Sequence, residues 1–260
     1  NIAQYVDVIF ADPSSFAASQ VVAGVLLYGI QIYCDFSGYS DMAIACAGLL
    51  GYKFPANFDS PYLSPDIQDF WRRWHISLSS WLRDYLYIPL GGNRRGNGRR
   101  DVNLMTTMVL GGLWHGASFN FVIWGFLHGI ALIVQRGWNN LVARRVPAMG
   151  LIGGFIGGAV TYYWVNLAWI FFRAADLGEA LAISRTYLTW SSTGDNVLPI
   201  AVWPLLAGLG LVHWVSHRFG AQEIIERLGP NRFAVTYGAI AAIAIAFVPL
   251  GYRPFIYFQF

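Results

Sequence analysis

The sequence predicts an all-α, polytopic membrane protein, and three observations support this prediction. Hydrophobic residues make up 56% of the 260 residues and charged residues only 12%, against about 25% charged residues in an average soluble domain. Several uncharged runs approach the roughly 20 residues that a helix needs to cross the hydrocarbon layer. Arginines cluster between these runs, and the net charge is only +3. The composition excludes a soluble globular protein, a disordered segment and a nucleic-acid-binding protein.

Five or six membrane segments are expected along the chain. The first covers residues 19–36, and the apolar piece at 42–54 is too short to span alone. Residues 104–134 carry no formal charge and are long enough for two short or broken helices. The break between them is expected at 116–120. Three further spans follow, at 150–172, 197–215 and 233–250. Glycines four residues apart, among them Gly150, Gly154 and Gly158, predict close helix packing at the start of the 150–172 span.

The arginines between the spans predict the orientation in the membrane. Residues 173–196 contain only Arg173 and Arg185, with three acidic residues. If residues 104–134 form a helical hairpin, the more basic segments all fall on one side, which the positive-inside rule places in the cytoplasm. The basic side chains in those segments are Arg94, Arg95, Arg99, Arg100, Arg136, Arg144, Arg145, Arg218, Arg227 and Arg232.

The segment after residue 64 is too charged to face lipid along its whole length. Ser64, Pro65 and Asp66 are typical of a helix start, with Ser64 as the cap. Aromatic and aliphatic residues then recur at helical spacing as far as Tyr85, and Pro89 precedes a Gly-Gly pair. We therefore expect one interfacial or re-entrant helix here, with a polar side formed by Asp69, Arg72, Arg73 and Asp84.

The histidines are the main candidates for chemistry. His115 lies inside the uncharged run, where an ionisable residue indicates a functional site, and imidazole suits general-base catalysis near neutral pH. A histidine that only hydrogen-bonds a neighbouring helix is the alternative. His75 borders the aromatic stripe and is equally compatible with a structural or a functional role, whereas His128 is expected to pack or orient. His213 and His217 are expected to be interfacial, because no carboxylate completes a metal site.

Several glycines and polar residues near these runs allow either a structural or a functional interpretation. Gly111, Gly112 and Gly116 would leave room for a substrate beside His115. Asp41 either caps a following helix or joins a polar site with Asp35. The glycine-rich residues 91–98 lack the Lys-Ser/Thr pair of a P-loop, which favours a headgroup anchor or a contact with a phosphate-bearing donor. The sequence also predicts two buried free thiols rather than a disulfide, at Cys34 and Cys46.

Five sequence motifs together resemble the membrane-bound O-acyltransferase family, in particular the bacterial subgroup that contains alginate O-acetyltransferase and the D-alanyl transfer protein of teichoic acid. They occupy residues 33–41, 57–62, 69–79, 87–93 and 113–116, and the chain ending at 255–260 is similar too. Because members of the family are longer, we expect residues 1–260 to be one catalytic region, a fragment lacking N-terminal transmembrane helices. The start at Asn1, without a signal peptide, fits this expectation.

The resemblance implies a multi-pass enzyme of the bacterial inner membrane that acetylates hydroxyls of an exopolysaccharide. It implies His115 as the catalytic base and His75 as a second catalytic residue. It implies acetyl-CoA or another acyl thioester as donor, without a bound cofactor or metal. Membrane lipids, a periplasmic acetyltransferase and the acceptor polysaccharide are the expected partners, without nucleic acid. It also implies helices that surround a tunnel. The residues expected to line or brace this tunnel are Trp71, Trp74, Trp81, Trp114, Asn120 and Asp35. Those expected at the donor's phosphates are Arg94 and Arg95, with Arg99 and Arg100.

Two alternatives remain open from the sequence. D-alanyl transfer to a teichoic-acid-type polymer would use a donor carried on a carrier protein. A transporter or channel would use the buried polar residues as a pathway, although the sequence shows no inverted repeat.

Overall fold

The computed structural model describes residues 2–141, 150–198, 201–220, 224–225 and 227–246. Within these ranges the protein is all-α, as predicted, and the only β-pairing is an isolated bridge between Phe16 and Asn196. The helices are α1 (Ile2–Ala11), α2 (Ala18–Leu49), α3 (Ile67–Arg73), α4 (Ile76–Leu82), α5 (Gly96–His115), α6 (Phe119–Leu141), α7 (Gly150–Arg173), α8 (Leu177–Thr189), α9 (Val202–Phe219) and α10 (Pro230–Ala246).

Three of the described helices are long and apolar enough to cross a membrane. These candidate spans are Ala18–Leu49, Phe119–Asn140 and Ile152–Arg173, and they confirm the class of polytopic helical membrane protein. The total of five or six segments stays a prediction, because the expected span at 233–250 runs beyond residue 246. Arg144, Arg145 and the ending at 255–260 also lie outside the described residues.

Helix α2 is continuous where the sequence predicted two pieces. It runs through residues 36–42 without a break, so Asp41 lies inside the helix and does not cap one. Gly38 costs only about 1 kcal/mol in a helix interior, and 32 residues of mostly apolar sequence outweigh that cost. The predicted burial of the two thiols is wrong as well, since Cys34 and Cys46 are free and exposed on this helix.

The single helix expected after residue 64 is instead two short helices and a π-helical segment. Asp66, not Ser64, caps α3, because its side chain accepts a hydrogen bond from the Asp69 backbone N–H at 2.8 Å. The helical path is interrupted between α3 and α4, where His75 has a left-handed φ of 43°. The π-helical segment Arg83–Tyr87 follows α4, and the expected end of this region at the Gly91–Gly92 turn is confirmed by positive φ angles at both glycines.

Helices α5 and α6 form the predicted hairpin. The break at Gly116–Ser118 lies inside the expected range, but α5 begins at Gly96, so Arg99 and Arg100 are helical. The backbones touch where the helices cross: a Cβ on Gly112 would collide with the Phe121 carbonyl oxygen, and one on Gly125 would lie 2.9 Å from the Val109 Cα. Gly112 therefore packs this hairpin, whereas a Cβ on Gly111 would lie 3.1 Å from the Leu82 side chain of α4. The predicted room for a substrate beside His115 stays a prediction.

The hydrophobic core lies between α1, the first half of α2, α3, the start of α6, the second half of α7, and α8. Ile9, Leu27, Ile170 and Ile183 are all fully buried there. The sequence prediction missed α1 and α8, although Asp176 caps α8 by accepting a hydrogen bond from the Glu179 N–H at 2.9 Å. The close helix packing predicted for the four-spaced glycines of α7 is not found at Gly150 or Gly154, where an added Cβ would meet nothing within 4 Å. Gly157 does pack closely, but against the Pro65 carbonyl oxygen in the loop before α3.

Candidate active site

His75 occupies a tight turn between α3 and α4. Its ring meets the Phe36 ring edge-on, with centroids 4.6 Å apart, and lies 6.5 Å from the Phe58 ring. Burial, together with the nearby His115, lowers the pKa of the His75 imidazole to about 3. The group is therefore neutral at physiological pH and keeps one N–H donor and one acceptor nitrogen.

Asn57 holds this turn in place, a role that its position in the sequence does not indicate. Its carbonyl oxygen accepts a hydrogen bond from the Ile76 N–H at 2.9 Å, and its side-chain oxygen accepts from the Ser77 N–H at 3.1 Å. These are N–H groups of the first turn of α4, which otherwise have no partner within the helix. Asn is a favoured capping residue, but this cap comes from 20 residues away in sequence, so local spacing does not reveal it.

His115 ends α5, and the helix stops there because Gly116 is extended. Its imidazole meets the Trp124 ring at 5.2 Å and the Phe172 ring at 5.0 Å, in both cases edge-on. Asn120 fixes the neighbouring start of α6, since its side-chain N–H donates to the Ala174 carbonyl at 3.0 Å. The sides of the His115 ring are thus formed by α6 and by the end of α7.

A continuous set of aromatic rings connects the two histidines, and we call it the aromatic cluster. Trp74 packs on Phe58 at 5.0 Å and on Trp169 at 5.0 Å. Trp169 packs in turn on Phe172 at 5.3 Å, which contacts His115. The cluster consists of Phe36, Phe58, Trp71, Trp74, Trp124, Trp169 and Phe172. His75 and His115 thus lie at two sides of one largely apolar region.

His128 lies inside the aromatic cluster and is fully buried. Its ring contacts Trp71 at 4.9 Å and Trp124 at 4.8 Å. Neither of its nitrogens has a hydrogen-bond partner among the described residues. The ring contacts agree with the expected packing, whereas a buried imidazole N–H without a partner is unusual in native proteins, so the role of His128 stays a prediction.

A cavity of about 610 Å³ lies between α3, α4, α5 and α6, next to Trp71. Its polar lining includes glutamine, asparagine and serine side chains in addition to arginines. Of the arginines expected at a donor's phosphates, Arg100 lines the cavity, whereas Arg94, Arg95 and Arg99 do not. The other cavity arginines are Arg72, Arg83 and Arg136.

The other expected site residues lie in different environments. Trp71 and Trp74 are buried in the aromatic cluster, and Asn120 is buried at the start of α6. Trp114 is 64% exposed but contacts His115 with ring centroids 5.0 Å apart, and Asp35 is exposed on α2.

The two histidines of α9 also lie in different environments. His213 packs edge-on against Tyr33 at 5.3 Å, whereas His217 is exposed. Among the residues that the structure describes, no group of three or more His, Cys, Asp or Glu side chains can hold a metal ion.

The arrangement suits proton transfer beside a largely apolar region. A neutral imidazole can accept a proton from a hydroxyl, and a second imidazole can donate a hydrogen bond to a developing oxyanion. An apolar surround strengthens such interactions, because the effective dielectric constant is low. The arrangement is compatible with acid–base chemistry, of which acyl transfer to a hydroxyl is one kind.

Comparison with known proteins gives consistent results. The model of the membrane-bound O-acyltransferase family matches residues 10–173, which include both site histidines. The chain is 40% identical to a probable alginate O-acetylase of Pseudomonas putida over 91% of this chain and 53% of that protein. It is 45% identical to a peptidoglycan O-acetyltransferase of Helicobacter pylori over 71% of this chain and 34% of that protein.

A teichoic acid D-alanyltransferase of Streptococcus thermophilus is also similar. It is 39% identical over 43% of this chain and 29% of that protein. The chain thus spans about half the length of the first of these curated relatives and a smaller share of the other two.

Proposed function

Because the chain belongs to the membrane-bound O-acyltransferase family, we propose that it is the catalytic region of a membrane O-acyltransferase. The enzyme moves an acetyl group from a thioester donor on the cytoplasmic side to a polysaccharide hydroxyl on the other side of the bacterial inner membrane. The observation that carries this proposal is the position of His75 and His115. His75 comes from the turn between α3 and α4 and His115 from the end of α5, and both meet the same aromatic cluster.

In the proposed reaction, the acceptor hydroxyl oxygen attacks the thioester carbonyl carbon while His115 accepts the hydroxyl proton. The carbonyl oxygen becomes an oxyanion, and the His75 N–H stabilises it. The C–S bond then breaks, the ester remains on the acceptor, and the thiolate takes the proton back from His115. A positioned base contributes about 10²–10⁴-fold to such a rate, and positioning of the reactants supplies a further share.

The acceptor class is supported by the names of the relatives. An alginate O-acetylase and a peptidoglycan O-acetyltransferase both act on polymers, as their names state. We propose an exopolysaccharide similar to alginate as the final acceptor, reached directly or through a periplasmic acetyltransferase. Membrane lipids surround the candidate spans, and acetyl-CoA or another acyl thioester is the donor.

D-alanyl transfer is the second candidate, favoured by the similarity to a teichoic acid D-alanyltransferase. That similarity covers less than half of this chain, whereas the similarity to the alginate O-acetylase covers 91% of it. Acetyl transfer is therefore the better-supported function.

The test compares cells that lack the gene with the same cells carrying it on a plasmid. Extracellular polysaccharide is treated with mild alkali, and the released acetate and D-alanine are quantified. We expect acetate to fall to background in the deletion strain and to return on complementation. Loss of D-alanine instead would favour the second candidate, and unchanged esters with altered solute flux into vesicles would favour a transporter.

A further inference from the structure

The last turn of α7 packs directly against His115. Phe172 is buried there, and its ring meets the His115 imidazole at 5.0 Å and the Phe121 ring at 5.1 Å. It also lies 5.6 Å from the Trp124 ring, which contacts His115 as well. The orientation of the proposed base therefore depends on where α7 ends.

Arg173 fixes this turn from another side. Its Nη2 donates a hydrogen bond to a carboxylate oxygen of Asp7 on α1 at 2.8 Å, and its guanidinium lies over the Phe10 ring at 5.6 Å. Neighbouring residues of a helix point about 100° apart, so Phe172 and Arg173 face different partners. The two side chains together connect α1 to His115 through the end of α7.

Helix α1 is a firm support for Asp7. Val6, Ile9 and Phe10 are at most 1% exposed, and a Cβ on Gly24 of α2 would lie 2.8 Å from the Ile9 side chain. These contacts keep α1 on α2 whether or not the ion pair forms. The pair therefore adds little to the attachment of α1, and its effect falls on the end of α7.

A hydrogen bond ties the same turn to α6. The Asn120 side-chain N–H donates to the carbonyl oxygen of Ala174 at 3.0 Å, one residue after Arg173. The end of α7 thus lies between two fixed points, one on α1 and one at the start of α6. Of the two, the ion pair is the one that a charge reversal can test.

The position of Arg173 is unusual for a membrane protein. Residues 173–196 are expected on the side opposite the cytoplasm, where arginines are less frequent. The Arg173 side chain is 25% exposed and that of Asp7 43%, and such a pair contributes little to stability. By contrast, a misplacement of about 1 Å at a reacting group costs up to about 100-fold in rate. Precise placement therefore explains the pair better than stability does.

We propose that Asp7 and Arg173 are positioning residues for acyl transfer. The ion pair fixes the end of α7, and Phe172 in turn holds the His115 imidazole in the orientation that accepts the hydroxyl proton. The inference rests on the proposed function for the reaction, but the packing of His115 is a separate property that is measurable without substrate.

The first experiment measures acetyl transfer from acetyl-CoA to an alginate oligosaccharide by the purified enzyme in detergent. We expect D7N and R173Q each to lower kcat by about 5- to 20-fold with little change in either KM, because the base is misplaced and substrate binding is not affected. R185Q removes an exposed arginine of α8 and, as the matched control, should keep the wild-type kcat. A wild-type kcat in D7N and R173Q overturns the proposal, as does an equal loss in R185Q.

Charge reversal tests the pairing itself. The double variant D7R/R173D should recover most of the kcat that D7R and R173D each lose, because opposite charges again face each other. The thermal unfolding midpoint of each variant separates slow catalysis from misfolding. A double variant with the wild-type midpoint and no recovery of kcat overturns the proposal.

A second pair of variants tests the path to His115 without reversing a charge. If Arg173 acts through Phe172, R173Q should lower kcat much less in an F172L background than in the wild type, because the effects of coupled residues do not multiply. Equal losses in the two backgrounds overturn the path through Phe172.

Deuterium exchange at C2 of the His115 ring separates this proposal from the proposed function. Followed by mass spectrometry without substrate, it should be faster in D7N and R173Q than in the wild type, because the imidazole is less enclosed. Faster exchange in both variants, with no acetyl transfer by the wild type, would refute the function and leave the positioning role intact. Acetyl transfer with unchanged kcat and unchanged exchange in both variants would leave the function intact and refute the positioning role.

Discussion

Asn57 shows how a single residue outside the histidine pair shapes the site. The sequence motif around residues 57–62 indicates a family, but its physical task becomes visible only in the fold, where Asn57 caps α4 and holds His75 at a positive φ. His115 and His75 were both identified from the sequence. The cap was not, because its partners lie far away along the chain.

Removing this cap should loosen the His75 turn. We expect N57A to lower the free energy of unfolding by about 1 kcal/mol and to reduce acetyl transfer several-fold, through misplacement of His75. The measurements are the thermal unfolding midpoint in detergent and the rate of acetyl transfer. N231A on the exposed surface of α10 is the control, and equal effects of both substitutions would contradict the capping role.

Substitutions of His128 test whether this buried histidine serves only to pack the aromatic cluster. Because neither nitrogen has a partner among the described residues, H128F should retain the fold, with a change in unfolding free energy below about 1 kcal/mol. H128A leaves a hole between Trp71 and Trp124 and should cost about 3–5 kcal/mol. If H128F folds normally but loses acetyl transfer, His128 has a chemical role and the packing interpretation is wrong.

The helix boundaries show which signals in the sequence were decisive. The hairpin break at Gly116 was predictable, because glycine and small polar residues interrupt an otherwise uncharged run. The break at His75 was not, since the aromatic spacing continues across it and the hydrogen bonds that stabilise it come from another segment. For α2 the sequence predicted a break that does not exist. A few polar residues do not end a helix when the residues on both sides of them are apolar.

The close contact between the backbones of α5 and α6 predicts that a larger residue at the crossing lowers the stability of the protein. In G125A the added methyl group would meet the backbone of Met108 and Val109, so the hairpin must separate and the thermal midpoint should fall by several degrees. G137A on the same helix has open space around its Cβ and should leave the midpoint unchanged or slightly higher. Equal midpoints for the two variants would contradict close packing at this crossing.

The whole molecule exposes large apolar side chains on its outer surface, as a protein in lipid does. Leu49 is 89% exposed at the end of α2 and Phe155 is 79% exposed on α7. Composition alone predicted this environment. It did not predict that Arg100 and Arg136 would face one cavity, because their proximity depends on how the hairpin folds back on itself.

The orientation in the membrane is testable with cysteine labelling. In a protein with Cys34 and Cys46 replaced by serine, R94C should react with a membrane-impermeant maleimide only after the cells are opened. D195C should react in intact cells, since residues 173–196 are expected on the opposite side. The reverse pattern would contradict the cytoplasmic assignment of the basic segments.

The central claim is that His115 is the base for acyl transfer, and substitution of this residue tests it most directly. H115A, produced in cells that lack the native gene, should insert into the membrane at wild-type level. It should release no more alkali-labile acetate from extracellular polysaccharide than the deletion strain. H217A, an exposed histidine on α9, should restore acetylation fully. Substantial acetylation by H115A would contradict the account.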